Sequence, residues 1–489
     1  MNLLATRCRS VIAAGHNILC SSRRPLAFSS QAGALSKTGE RTRRRKKKTA
    51  WDEGCVSWEE RLSDVVTPLW RLRYEQQLQV KLKQQEMIMA QLSLHLSEDF
   101  RSPSESPAGK PSIPVLPVLP SPVRNGYRNK STFSVNKGAD GNPKTVGNYV
   151  GRGVEGNIVC VNTDHLFNIP EKHKQVARCY QDFIRSSPLD PCLLFHTGGH
   201  WREITVRTNA QGHTMLIVYF NPHPLTPDEV AVHKAELVDY FTQGPGSFCK
   251  LDSLYFQESA MTRCTHVESP YQLLYGQPYM YEELLGFKFR ISADAFFQVN
   301  LTAAEVLYNT VRDLCLPNTK QEEGRSQSGN TLLDVCCGTG AIGIILSRRV
   351  DRVIGIELIE QAVKDAIHNA ALNHIHNCEF IPGKAEVVLP GLMSQLGSAG
   401  EGLTAVVNPS RSGLHPKVVR ALRNQAAIRR LVYVSCKPDG EAMRNFKELC
   451  CAPDPQRKLT GEAFSPTLAV PVDMFPHTSH CELVLLFER

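Results

Sequence analysis

Short apolar runs separated by glycine or polar loops dominate the C-terminal part of the chain, and they alternate with segments of helical period. "TLLDV", "RVIGIEL", "CEFIPG", "LTAVVNP", "RRLVYVSC" and "CELVLLFER" predict strands. "AIGIILSRR" and "IEQAVKDAIHNAALNH" predict helices between them. Alternating β and α units predict an α/β fold with a doubly wound, largely parallel sheet, whose ligand lies at the carboxyl ends of the strands.

From residue 126 to 290 the pattern changes to short alternating runs such as "STFSV", "NIVCVN", "WREITVRT" and "HTMLIVYF", with one helical segment near 226–243, which predicts an α+β domain. Upstream, Leu69, Leu72, Leu78 and Leu82 fall at roughly helical spacing and predict an amphipathic helix. Residues 102–125 carry so many prolines that an extended connection is expected. The chain therefore divides into a presequence (1–38), a basic arm, helix and Pro-rich linker (39–125), an α+β domain (126–290) and an α/β domain (291–489).

Composition sharpens this picture. Hydrophobic residues make up 42% and charged residues 21% of 489, the profile of a globular protein, and no apolar run is long enough to predict a membrane span. Residues 1–39 hold Arg7, Arg9, Arg23, Arg24 and Lys37 with several serines and no Asp or Glu, the composition of a mitochondrial transit peptide, so the matrix is the expected location. Residues 1–50 contain 12 Lys or Arg against one Glu, whereas residues 51–489 contain 44 against 47, so the net +8 belongs to the N-terminal arm. Its "RTRRRKKK" run suits RNA phosphates, and equally a solvated tail or nuclear-type signal. The 16 cysteines show no regular CxxC pairs, so free thiols are expected and neither a metal site nor an iron–sulfur cluster.

Gly338, Gly340 and Gly343 form GxGxxG between a strand and a helix, and Glu357 ends the next strand, placed to accept hydrogen bonds from ribose hydroxyls. That much fits NAD or S-adenosylmethionine. Asp334, just before the loop, favours S-adenosylmethionine, because a carboxylate there repels a pyrophosphate but suits an ammonium or sulfonium. An NAD-dependent oxidoreductase rests on the glycines alone.

Cys436, Asn408 with Arg411, and Glu482 stand at three strand ends on the same edge as the glycine loop. A thiol, a carboxylate and a methyl donor together match methylation of uracil C5: a thiolate adds to C6, C5 becomes nucleophilic, and a base removes the C5 proton. Lys437 is placed to lower the thiol pKa or to contact a phosphate. Arg128, Lys130, Arg202 and Arg207 beside Tyr127, Phe133 and Trp201 form the mixture of cations and rings that suits RNA, although such alternation also describes the wet face of a sheet.

With "FFQVN", "LLDVCCGTG", "NPSRSGLHP", "VYVSCKP" and "HCELVLLFER" in place, the chain from about "TPLWRLRYEQQ" to its end resembles the RNA (uracil-5-)-methyltransferases. The resemblance implies a Rossmann-like S-adenosylmethionine-dependent domain behind an RNA-binding domain. It implies Cys436 as nucleophile, Glu482 as proton acceptor, and Gln298, Glu357 and Asn408 as cofactor-binding positions. It also implies RNA as partner, as a tRNA T-arm or small-subunit ribosomal RNA; a monomer is expected, with the oligomeric state left open by the sequence. The family's Asp-Pro-Pro-Arg is here Asn408-Pro409-Ser410-Arg411, and its Ser-Cys-Asn-Pro is Ser435-Cys436-Lys437-Pro438. Those departures motivate an alternative, an RNA-binding or RNA-folding protein with a weakened methyltransferase fold. The cysteine set that holds iron–sulfur clusters in some bacterial relatives is missing.

Overall fold

Side chains of Ser57, Thr226, Asn300 and His415 cap the starts of four helices, and strands such as Thr214–Phe220 and Thr331–Val335 are buried along nearly their whole length. The computed structural model describes residues 56–99, 113–151, 158–193, 198–259, 268–316, 330–396 and 402–489. The expected presequence and the basic run lie outside the described residues.

Helix α1 (Trp58–Val66) starts where Ser57 accepts from the Glu60 N–H, and a turn leads into the long α2 (Tyr74–Asp99). The predicted leucine stripe is not the buried face. Leu69 and Leu72 lie in the turn, Leu78 and Leu82 are half-buried, and the covered positions are Tyr74, Gln77, Lys81, Gln85, Ile88, Met89, Leu92 and Leu96. Their spacing is helical, but the first half is polar because it meets polar partners rather than core. The described part of the proline-rich segment, residues 113–125, is extended as expected: Leu116 and Leu119 N–H donate to Ala469 and Pro471 carbonyls at 2.9 Å, so it covers the edge of the C-terminal sheet.

The first sheet uses β1 (Lys130–Asn136), β2 (Thr145–Val150), β3 (Val159–Val161), β4 (Trp201–Thr208), β5 (Thr214–Phe220), β6 (Ser253–Glu258) and β7 (Gln272–Gly276), in the order β3-β2-β1-β4-β5-β6-β7. Its helices are α3 (Glu171–Ser186) and α4 (Pro227–Thr242). α4 begins with a capping box between Thr226 and Glu229 and Pro227 in its first turn, where a missing N–H costs nothing. Phe133 and Trp201 are fully buried among Val176, Tyr180 and Phe183, so these rings are core and not RNA platforms.

A hairpin of β8 (Met280–Leu284) and β9 (Phe287–Ile291) and helix α5 (Leu301–Cys315) lead to the second sheet. In chain order this comprises β10 (Thr331–Val335), α6 (Ala341–Leu346), β11 (Arg352–Glu357), α7 (Glu360–Leu372), β12 (Cys378–Pro382), α8 (Ala385–Leu396), β13 (Leu403–Val407), α9 (Pro416–Asn424), β14 (Ile428–Ser435), α10 (Glu441–Cys450), β15 (Ser465–Val472) and β16 (Glu482–Glu488). The strand order is β12-β11-β10-β13-β14-β16-β15, parallel from β12 to β14 and antiparallel for the last two pairs. Successive strand residues serve opposite layers: Leu332, Val353 and Val406 pack with α5, α6 and α7, whereas Leu333, Ile354 and Ala405 pack with α2, α8, α9 and α10. From β10 the chain winds to one side and from β13 to the other, so a crevice opens at their carboxyl ends.

Candidate active site

The glycine loop needs backbone that few residues adopt. Cys336, Gly338 and Gly340 have φ of 64°, 57° and 80°. A Cβ at Gly340 would lie 2.9 Å from the Phe380 ring, whereas one at Gly338 would meet no protein atom and project into open space. Glu357, at the end of β11, accepts from the Gly338 N–H at 3.0 Å and from the Ile359 N–H at 2.9 Å, which ties the loop to the next strand.

Asp334 does not face this space. Fully buried, it accepts from the Gly343 N–H at 2.9 Å and braces the start of α6 from behind, and burial pushes its carboxyl up to about 7. The reason is its place before the loop turns: its side chain points under the helix it precedes. It therefore supports the loop rather than meeting a ligand's cationic end.

A cleft of about 1050 Å³ runs from this loop to the ends of β13, β14 and β16. Gln298, Gly338, Glu357, Asn408, Arg411, Cys436 and Glu482 all line it. Gln298 is held through its carbonyl, which accepts from Asn129 Nδ2 at 2.9 Å, and its side chain hydrogen-bonds the Tyr308 hydroxyl. The antiparallel β14–β16 register pairs Ser435 with Leu483, so one step further Cys436 stands opposite Glu482.

Burial and the neighbouring Glu482 push the Cys436 thiol up, while a hydrogen bond and the charge of Arg411 pull it down, the net direction being upward. Burial pushes Glu482, 4% exposed, up to about 8 despite Arg411. Lys437 is exposed, does not line the cleft and is not among the groups that shift the thiol. The cation at Cys436 is thus Arg411, since the turn after β14 carries Lys437 outward.

Arg128 is half-buried at the cleft wall, with Nε donating to the Lys130 carbonyl at 3.1 Å. Arg207 is 4% exposed and donates to the Ala295 carbonyl, so it fastens the segment before Gln298 instead of facing solvent. The cleft also uses residues the sequence reading passed over. Phe296 is 67% exposed at its wall, Leu358 and Ile359 follow Glu357, and Phe475 and His480 precede Glu482. Leu358 and Ile359 carried a legible signal, being apolar directly after a strand-end acid; Tyr308, from α5, carried none. Among the described residues no group of three or more His, Cys, Asp or Glu is arranged to hold a metal ion.

Residues 285–489 match the family model described as tRNA (uracil-5-)-methyltransferase. The tRNA (uracil-5-)-methyltransferase homolog B of Danio rerio is 67% identical over 434 residues, covering 89% of this chain and 88% of that one. The homolog B of Homo sapiens is 56% identical over 436 residues, covering 88% and 84%. Among solved structures, Pyrococcus abyssi tRNA (uracil-54, C5)-methyltransferase in complex with S-adenosyl-L-homocysteine shares the fold, with a TM-score of 0.59 at 22% identity over 86% of this chain and 84% of that one. The protein belongs to the tRNA (uracil-5-)-methyltransferase family and is an S-adenosylmethionine-dependent methyltransferase with a Rossmann-like catalytic sheet.

Proposed function

We propose that the protein methylates C5 of a uridine in RNA through a covalent bond between Cys436 and C6. The observation that carries this is the placing of Cys436 opposite Glu482 at one end of a cleft whose other end is the Gly338–Glu357 loop. The cleft fits the cofactor: the space beside Gly338 has no side chain, and Glu357 stands at the end of β11 for ribose hydroxyls. Glu357 and the loop, together with Gln298 and Asn408, would hold S-adenosylmethionine, which when bound would supply an electrophilic methyl group.

The chain's own residues do the rest. Arg411 favours the thiolate of Cys436, whose sulfur bonds to C6 while the C5–C6 π pair moves toward the O4 carbonyl. C5 then forms a bond to the methyl carbon as that carbon's bond to the sulfonium breaks, the electron pair leaving on S-adenosyl-L-homocysteine. Glu482 then accepts the C5 proton, the C5–H pair re-forms the double bond, and the C6–S bond breaks to return the thiolate. Glu482 accepts that proton in its ionised form, the smaller fraction at neutral pH for a carboxyl held near 8, and a base in that range lies close to the working pH.

A base inside a stack is out of reach of the thiol, so the uridine is flipped into the cleft, where the exposed Phe296 offers a stacking surface. Residues 126–290, with Arg128 at the cleft wall, serve as the RNA-binding part. The matched relatives' names support tRNA as the target and the acid-free N-terminus supports the mitochondrial matrix as its location; ribosomal RNA as a further target and a monomer as the working form belong to the same proposal. The test is incubation with 5-fluorouridine RNA and S-adenosylmethionine. A protein–RNA adduct that survives denaturation and vanishes in Cys436→Ala is expected. Wild-type RNA binding with neither adduct nor methyl transfer would favour the RNA-folding alternative.

A further inference from the structure

We infer that α2 positions the proton acceptor, with Lys81 and Gln77 fastening the strap Asp473–Cys481 that leads from β15 into Glu482. This deepens the proposed function and rests on the reading of Glu482 as acceptor of the C5 proton. Phe475, Thr478 and His480 of the strap line the cleft, and Glu482 follows directly as the first residue of β16.

The strap is held by residues far upstream in sequence. Lys81 Nζ lies 2.5 Å from Asp473 Oδ1 and donates to the Phe475 carbonyl at 3.0 Å, and both charged side chains are fully buried. The Tyr74 hydroxyl donates to Asp473 Oδ2 at 2.9 Å and accepts the Ser121 N–H at 2.8 Å. Gln77 Oε1 accepts the His477 N–H at 2.8 Å, and the Leu69 N–H donates to the His477 carbonyl at 2.9 Å. Among the described residues none of α2 lines the cleft, so Lys81 and Gln77 act only through the strap. A buried lysine on a helix that otherwise packs against an apolar sheet has no use in the core, because desolvating it is costly unless its partner is fixed. Its partner is fixed at the one crossing that delivers Glu482.

Cys436 follows β14 and the glycine loop follows β10, while the strap's bond toward the Gln298 segment is that of the Met474 carbonyl, which accepts from Asn300 Nδ2 at 3.1 Å. Loosening the strap therefore displaces the base from C5 while leaving the nucleophile and the cofactor half in place. A displacement of ~1 Å at a reacting group lowers the rate by up to about 100-fold.

The experiment compares the full chain with Lys81→Met, Gln77→Met and Glu482→Gln on ordinary uridine RNA. It measures turnover, S-adenosylmethionine affinity by calorimetry, and the steady-state fraction of denaturation-resistant protein–RNA adduct. Both α2 variants are expected to turn over about 10- to 100-fold more slowly, with cofactor affinity within about twofold of wild type, and to accumulate adduct as Glu482→Gln does. If turnover, cofactor binding and adduct fall together in an α2 variant, the helix only stabilises the fold and the inference is overturned. Gln77→Met carries no charge change and keeps the test decisive if Lys81→Met does not fold. If Glu482→Gln itself accumulates no adduct, the reading of Glu482 fails instead; if Glu482→Gln does and the α2 variants do not, only the positioning role fails.

Discussion

Replacing Glu482 by Gln should change how stability depends on pH. Burial moves this carboxyl from its ordinary 4.5 to about 8. Between those values the folded protein keeps a proton that the unfolded chain has released, so stability falls as pH rises through the window. At 1.36 kcal/mol per pH unit, the displacement from 4.5 to about 8 amounts to roughly 5 kcal/mol lost by the wild type above pH 8 and nothing lost below 4.5. The amide that Glu482→Gln introduces keeps the shape and has no proton to release, so the variant's stability should lack this slope. Urea unfolding at about pH 5, 7 and 9 measures it: the variant gains on the wild type as pH rises, by several kcal/mol across the series. Parallel pH dependences would mean that the carboxyl is already ionised in the folded protein, and would refute the argument that burial holds it neutral.

Four more substitutions probe the cleft and its surroundings. Arg411→Gln removes the hydrogen bond and charge that pull the Cys436 thiol down, so its titration should move to higher pH, whereas Lys437→Asn should leave it unmoved; alkylation rate against pH separates the two. Glu357→Ala frees the N–H groups of Gly338 and Ile359 and removes the ribose acceptor, so calorimetry should show S-adenosylmethionine affinity falling by about 10- to 100-fold with RNA affinity unchanged. Gly340→Ala forces a Cβ to within 2.9 Å of Phe380 at a φ of 80°, and thermal unfolding should show a loss of about 1–3 kcal/mol.

The sequence carried most of the catalytic sheet because its signals are local. A buried strand reads as an apolar run, a left-handed turn demands glycine at 338 and 340, and Glu357 falls at a fixed distance from the loop. What misled were features decided by remote partners. Asp334 looks like a ligand-facing acid until the Gly343 N–H claims it. Trp201 and Arg207 alternate like a wet face, yet the ring is covered by Phe183 and Phe220 and the guanidinium by the segment carrying Ala295. On α2, Gln77 and Lys81 carry no signal in the local sequence, because their partners, His477 and Asp473, lie about four hundred residues downstream. The charge next to Cys436 in sequence, Lys437, is not the charge next to it in space, Arg411.

The direction of one strand explains how this sheet gains the second group of the proposed mechanism. In a wholly parallel sheet only the last residue of each strand reaches the ligand edge, so side chains there come from strand ends and the loops that follow. β16 is inserted antiparallel between β14 and β15, which brings its first residue to that edge. Cys436 just after one strand and Glu482 at the start of its neighbour then face each other across a fixed register. A parallel β16 would carry Glu482 to the opposite edge, the length of a strand away. The antiparallel entry requires a crossing from β15 at the mouth of the cleft, and that crossing is the segment α2 holds through Asp473 and His477. The N-terminal helix and the reversed strand are therefore parts of one arrangement: the strand sets which residue meets the thiol, and the helix fixes where it stands.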